Sequence, residues 1–124
     1  MRQGLLADTF LTSSNAVTAD GQLFNIDGNG NRVAAFCYGP KQVIVVAGMN
    51  KVVPDMDAAY SRVRGYTAPG VVQRFPAAKT PCNDTGLCAD CMSPDSCCCH
   101  FVHTRLCRPA KRIKVVLVGE DLGL

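Results

Sequence analysis

The chain has 124 residues, 48% of them apolar and 19% charged, with a net charge of +3. That suits one small domain and excludes a two-domain protein. No apolar run approaches the roughly 20 residues that cross a bilayer. The opening MRQGLLADTF has too little apolar length for a signal peptide, so the sequence predicts a cytoplasmic protein with no membrane span. Arg108, Lys111, Arg112 and Lys114 form a short basic run without interleaved aromatic residues. It reads as a solvated edge, and no nucleic-acid partner is expected.

In chain order, residues 2–7 read as the end of a helix and residues 8–12 as a short strand. Ser13-Ser14-Asn15 breaks the pattern, and residues 16–18 resume extended structure. Asp20-Gly21 tolerates positive φ between two apolar runs, which predicts an antiparallel hairpin of residues 16–18 with residues 22–26. The stretch LFNIDGNGNRVAAFCYGPKQVIVVAG, residues 23–48, then reads as strand, glycine loop, short helix, strand. Asn31 is placed to cap a helix starting at Arg32, and Gly39-Pro40 ends it. Residues 43–47 are apolar without polar alternation, as in the middle of a mostly parallel sheet covered by helices.

The clearest helix follows. Pro54 sits in its first turn, Asp55 and Asp57 lie near its positive end, and Arg62 and Arg64 near its negative end. Met56, Ala59, Tyr60 and Val63 make one apolar stripe, and Gly65 closes the helix. Residues 66–80 read as a connector. Residues 82–109 show no apolar periodicity, so a cysteine-rich loop ordered by something local is expected there. Residues 113–118 form a second buried strand. The fold class is α/β: an open, mostly parallel sheet with Rossmann-like connections, in a single domain over residues 1–124.

Cysteine is the outlier. There are eight, seven of them between Cys82 and Cys107. In a reducing compartment a dense cluster points to metal before disulfides. Cys82-x5-Cys88-x2-Cys91-x6-Cys98 is the metal candidate: a C-x2-C pair brings two thiolates to one ion, and the flanking cysteines close the set. Structural zinc and an iron–sulfur cluster both accept four thiolates, and spacing does not choose between them. Cys97 and Cys99 leave the fourth ligand ambiguous, and His100 and His103 are further possible donors. Free thiols or a disulfide network are the competing readings. Cys37 reads as a small buried hydrophobe, and Cys107 as no ligand.

Gly28-Asn29-Gly30-Asn31-Arg32 is the second candidate. Its backbone and Arg32 suit a phosphate or carboxylate, although neither a GxGxxG nor a Walker pattern is present, and a tight strand-to-helix turn explains the same residues. Thr12, Ser13, Ser14, Asn15 and Thr18 either line a crevice or cap turns. Lys51 follows a strand end and is either a solvated turn lysine or a group that faces the same edge. Glu120-Asp121 reads as solvated. No residues pair an evident base with an evident nucleophile, so the catalytic residues stay unknown.

Residues 7–59, beginning ADTFLTSSNAVTADGQLFNIDGNGNRVAAF, resemble the LUD domain family of lactate-utilisation proteins, as do TPCNDTGLCADCMSPDSCC and the ending VVLVGEDLGL. The resemblance is to the branch of small stand-alone members. It implies a fold similar to the sugar-phosphate isomerase and CoA-transferase class. It further implies a place in oxidation of L-lactate to pyruvate as an accessory or redox subunit, beside iron–sulfur partner subunits or in self-association. It favours Asn15, Gly28, Gly30, Asn31 and Arg32 as a loop facing a small anionic ligand, and Cys82, Cys88, Cys91 and Cys98 as one set. A small-molecule enzyme on the same fold and a non-catalytic metal-binding interaction module are the alternatives. Family domains carry a further N-terminal portion, so the resemblance implies an N-terminally truncated, partial domain. Cys97-Cys98-Cys99 is richer in cysteine than the family pattern.

Overall fold

A computed structural model describes residues 2–124. Two small sheets and a set of short helices make an open α/β arrangement with no closed barrel. A 3-10 turn at Arg2–Leu6 leads into strand β1 (Thr9–Thr12), β2 (Ala16–Thr18) and β3 (Leu23–Asp27). Helix α1 (Asn31–Cys37) and strand β4 (Gln42–Gly48) follow. A 3-10 turn at Met49–Lys51 precedes the two-residue strand β5 (Val52–Val53) and helix α2 (Met56–Arg62). The rest comprises α3 (Ala68–Val72), α4 (Pro81–Thr85), β6 (His100–Thr104) and β7 (Ile113–Val118).

One sheet has the order β1-β4-β7 and is wholly parallel, with Phe10 beside Val43 and Val45 beside Val115. The other has the order β5-β2-β3-β6 and is mixed. The expected hairpin is present: Ala16 pairs with Phe24, and Gly21 takes φ +88° in the turn.

The hairpin is buried on both sides. Val17 and Leu23 join Phe36, Val43, Val45 and Ala47 in one core. Ala16, Phe24 and Ile26 join Ala59 and Val63 in the other. The hairpin therefore ties the parallel sheet and α1 to α2, and burial of these side chains removes apolar area from water on both faces.

Several elements differ from the sequence expectation, each for a physical reason. Helix α1 starts at Asn31, and the cap comes from Asp27, whose Oδ2 accepts from the Arg32 and Val33 backbone N–H groups at 3.0 and 2.8 Å. Asp27 ends β3 with its carboxylate held against those two donors, so Asn31 has no capping role. Gly65 does not close α2: a π-turn at Val63–Thr67 carries the helical path into α3. Buried Thr67, bonded to Arg62 Nη1 at 2.6 Å, holds that path, and Pro69 falls where a missing N–H is tolerated. The supposed connector is thus partly helical.

Within residues 82–109, β6 pairs antiparallel with β3 along its full length. Strand β7 lies at the edge of its sheet beside β4 and is not a buried strand: Val115, Val116 and Leu117 are exposed. Cys37 is exposed as well, since α1 turns Val33, Ala35 and Phe36 inward and ends with Cys37 on the outside.

Arg112 connects β7 to α1. Its guanidinium is buried and donates to the carbonyls of Ala35, Phe36 and Pro40 at 2.6–3.2 Å. These include carbonyls at the C-terminal end of α1, where a cation is favoured.

Candidate functional site

Strand β3 sets the centre of the site. Asn25 is fully buried and Asp27 nearly so. Arg32, at the start of α1, reaches back across both. Its Nε and Nη2 meet Asp27 Oδ1 at 3.1 and 2.7 Å. Its Nη1 donates to Asn25 Oδ1 at 2.6 Å and to the Ser13 carbonyl at 3.1 Å. Nη2 also donates to Asn15 Oδ1 and to the Ile26 carbonyl. All three guanidinium nitrogens are therefore engaged by protein atoms. The helix N–H groups expected to hold an anion are engaged by Asp27. The loop's chemistry at Arg32 is internal cross-linking of β3, α1 and the Ser13–Asn15 segment.

A cleft of about 680 Å³ opens beside this network. Asn15, Gly28, Asn31 and Arg32 line it, and Arg74, Asp95 and Cys97 face them. Gly30 belongs to the same loop and has φ +71°; a methyl group there would come within 3.1 Å of the His100 ring. At Gly28 a Cβ would meet the Cys97 backbone at 3.4 Å. The Asp27 carbonyl also accepts from the Cys99 N–H at 3.1 Å. The glycines thus let the cysteine segment lie close against the loop. Two candidates that were separate in the sequence adjoin in space.

Lys51 does not line the cleft. It is 7% exposed and donates to Ser13 Oγ at 3.1 Å. Burial pushes its amine below the usual lysine range, and the neighbouring Arg62 and Arg32 charges push it further in the same direction.

Cys82, Cys88, Cys91 and Cys98 line a single narrow pocket of about 80 Å³, together with Cys97. Arg64, Thr80 and Phe101 also contribute to it. Cys97, Ser96 and Ala68 belong to both this pocket and the glycine-loop cleft, so they form the wall between them. Arg64 Nε and Nη2 lie 3.4 and 3.2 Å from Cys88 Sγ, and Nη2 lies 2.6 Å from Asp90 Oδ1. The same guanidinium sits over the rings of Tyr60 and Phe101. The Cys97 and Cys98 sulfurs are 3.9 Å apart. That contact raises the Cys98 thiol well above its ordinary range, with burial adding to the effect, and it lowers Cys97.

The donor set suits a thiophilic ion or cluster in kind: five soft sulfurs share one pocket, and Arg64 supplies positive charge beside them. The sulfurs do not converge. Cys88 faces Arg64, Cys82 lies 3.5 Å from Thr80 Oγ1, and Cys97 and Cys98 face each other. Among the described residues no three His, Cys, Asp or Glu side chains are gathered as metal ligands are. Ligation requires the thiols to turn inward from these partners. His100 packs on Gly30, and His103 Nε2 lies 2.6 Å from Gln22 Oε1; neither lines the pocket. Cys107 lies outside it and accepts from the Ile113 N–H.

Sequence reasoning gave no site role to Asn25, Asp27, Arg62 or Arg64, and named Cys97 only as an alternative fourth ligand. Asp27 carries a readable signal, since it immediately precedes the glycine loop. Arg62 and Arg64 draw much of their surroundings from residues distant in sequence, Asn15 for Arg62 and Cys88 and Asp90 for Arg64. Among the described residues no helix is long and apolar enough to cross a membrane.

A family model described as LUD domain matches residues 1–118 of the chain. No curated protein and no solved structure matches it.

Proposed function

The chain belongs to the LUD domain family, a family associated with lactate utilisation, and on that premise we propose that it serves the oxidation of L-lactate to pyruvate as an accessory redox subunit. The observation that supports this reading most is the shared wall. The thiol pocket and the polar cleft meet at Cys97, so a small anion in the cleft would lie next to the sulfur set. Cys82, Cys88, Cys91 and Cys98 are the residues proposed to hold a metal group. An iron–sulfur cluster there would supply one-electron transfer, whereas zinc would only order the segment.

Asn15, Gly28, Gly30 and Asn31 are proposed as the ligand side of the cleft, with Arg32 as the residue that Asp27 and Asn25 hold in its wall; Lys51, expected on the same edge, is bonded to Ser13 outside the cleft. The family's lactate association suggests separate iron–sulfur subunits as the electron-carrying partners. The exposed apolar residues of β7 support a protein partner or a second copy of the chain.

In the organism that carries this gene, its deletion is expected to abolish growth on L-lactate and leave growth on pyruvate intact. Unchanged growth on lactate would remove the pathway assignment.

A further inference from the structure

Strand β7 ends its sheet with a bare edge. Its one strand neighbour is β4. The Arg112 and Glu120 carbonyls accept from the Val43 and Met49 N–H groups at 2.8 and 3.1 Å, so residues 112 and 120 both face the β4 side. Backbone groups alternate in direction along a strand. Residues 114, 116 and 118 therefore face β4 as well, and residues 113, 115 and 117 face away. On that free side the Ile113 N–H is taken by Cys107 Sγ at 3.2 Å. Among the described residues no strand or other backbone group meets Val115 and Leu117 there.

Sheet edges are commonly blunted by a charge, a proline or a bulge. Within β7 the one charged residue is Lys114, and its ammonium is turned to Gln42 Oε1 of β4 at 2.7 Å. Val115, Val116 and Leu117 are all exposed. The opposite edge of the sheet, β1, is four residues long with threonine at both ends. Strand β7 is thus the longer and more apolar edge.

The charges that flank β7 decide what pairs with it. Arg108 and Lys111 precede the strand, and Glu120 and Asp121 follow it. Lys111, Glu120 and Asp121 are exposed, and among the described residues none of them forms an ion pair. A segment that is basic at its start, apolar in its middle and acidic at its end is complementary to its own reverse. Antiparallel pairing with a second copy lays the basic start of each strand beside the acidic end of the other.

We infer that two copies of the chain pair through β7, antiparallel about a two-fold axis at Val116, into one continuous sheet of order β1-β4-β7-β7-β4-β1. The free backbone groups fix the register. With the axis at Val116, each Val115 lies opposite Leu117 of the second copy, and the two exchange both N–H···O bonds. An axis between Val115 and Val116 would set free groups against groups already bonded to β4. An axis at Val115 would set Leu117 against Ile113, whose N–H is spent, and one at Leu117 would set Val115 against Gly119, beyond the strand. The chosen register also brings Lys111 beside Asp121 of the second copy. The occupant of β7 is therefore another copy of the chain, and the pairing stands apart from the lactate reading.

The test is sedimentation of the full chain over a range of concentrations, beside residue-resolved amide exchange. A dimer is expected that dissociates on dilution and weakens in high salt. Val116→Lys places two like charges at the axis on a side chain that is already exposed, and dimerisation is expected to weaken at least about tenfold. Lys111→Glu is expected to weaken it too, and Lys111→Glu combined with Asp121→Lys to restore it. Exchange on wild type needs no variant: the Val115 and Leu117 amides gain protection as the dimer forms, whereas the Val116 amide, on the β4 side, is protected in both states. A chain that sediments as a monomer at every concentration would overturn the inference. So would a dimer indifferent to Val116→Lys and to the charge exchange, because it would use another surface.

Discussion

Arg32→Ala is expected to lower the stability of the fold by about 3 kcal/mol, the size seen when one partner of a buried, hydrogen-bonded charge network is removed. The side chain spans five acceptors: Asp27, Asn25 and Asn15 side chains and the Ser13 and Ile26 carbonyls. Asp27 keeps its two backbone donors, so its charge is only partly abandoned. Asn25 Oδ1 keeps Ser14 and the Asn15 N–H. The loss falls on the planar cross-link between β3, α1 and the Ser13–Asn15 segment. Arg32→Lys is expected to restore only part of the stability, because a point charge does not span the same acceptors. The midpoint and slope of a urea transition read the effect. A loss under about 1 kcal/mol would mean that the network behaves as a solvated surface ion pair.

The second large effect belongs to Arg112→Ala, also expected to cost about 3 kcal/mol. The guanidinium is buried and satisfies three carbonyls at the end of α1 and the turn after it. Alanine leaves those carbonyls without that donor in the interior and withdraws a cation from the negative end of a helix. Strand β7 has β4 as its single strand neighbour, so its pairing depends on this anchor. Hydrogen exchange should therefore show lost protection in residues 31–37 and 113–118 together, with the hairpin of β2 and β3 less affected. Uniform loss across the chain would instead mean that the whole domain unfolds as one unit.

Local signals in the sequence gave a true account where the structure depends on neighbours in the chain. Asp20-Gly21 between apolar runs is sufficient for the β2–β3 hairpin. The stripe of Met56, Ala59, Tyr60 and Val63 is sufficient for α2, and the run at Val43 is sufficient for the central parallel strand. Distant partners decide the rest. Strand β6 is a five-residue segment inside a cysteine-rich stretch, and it becomes a strand because β3 offers an edge. Residues 113–118 have the apolar pattern of a covered strand, yet they sit at the edge of their sheet.

The site divides in the same way. The cysteine spacing picked out Cys82, Cys88, Cys91 and Cys98 as a set, and all four line one pocket, although their sulfurs do not converge. It was silent on Arg64, which comes from the turn after α2 to face Cys88, and it offered Cys97 only as an alternative ligand, not as the residue that joins the pocket to the cleft. Arg32 was legible as a residue of importance. Its engagement with Asp27 and Asn25 was not, since that depends on how α1 folds back over β3.

A redox role for the protein requires that the cysteine pocket hold a redox group. The direct measurement is an absorption spectrum with iron, sulfide and zinc analysis, on protein purified without oxygen. The Cys88→Ser, Cys91→Ser double variant is purified and measured alongside. A redox cluster there gives a broad absorbance at about 400 nm with stoichiometric iron and sulfide in the wild type, lost in a variant that remains folded. Colourless, folded wild-type protein without iron would contradict it.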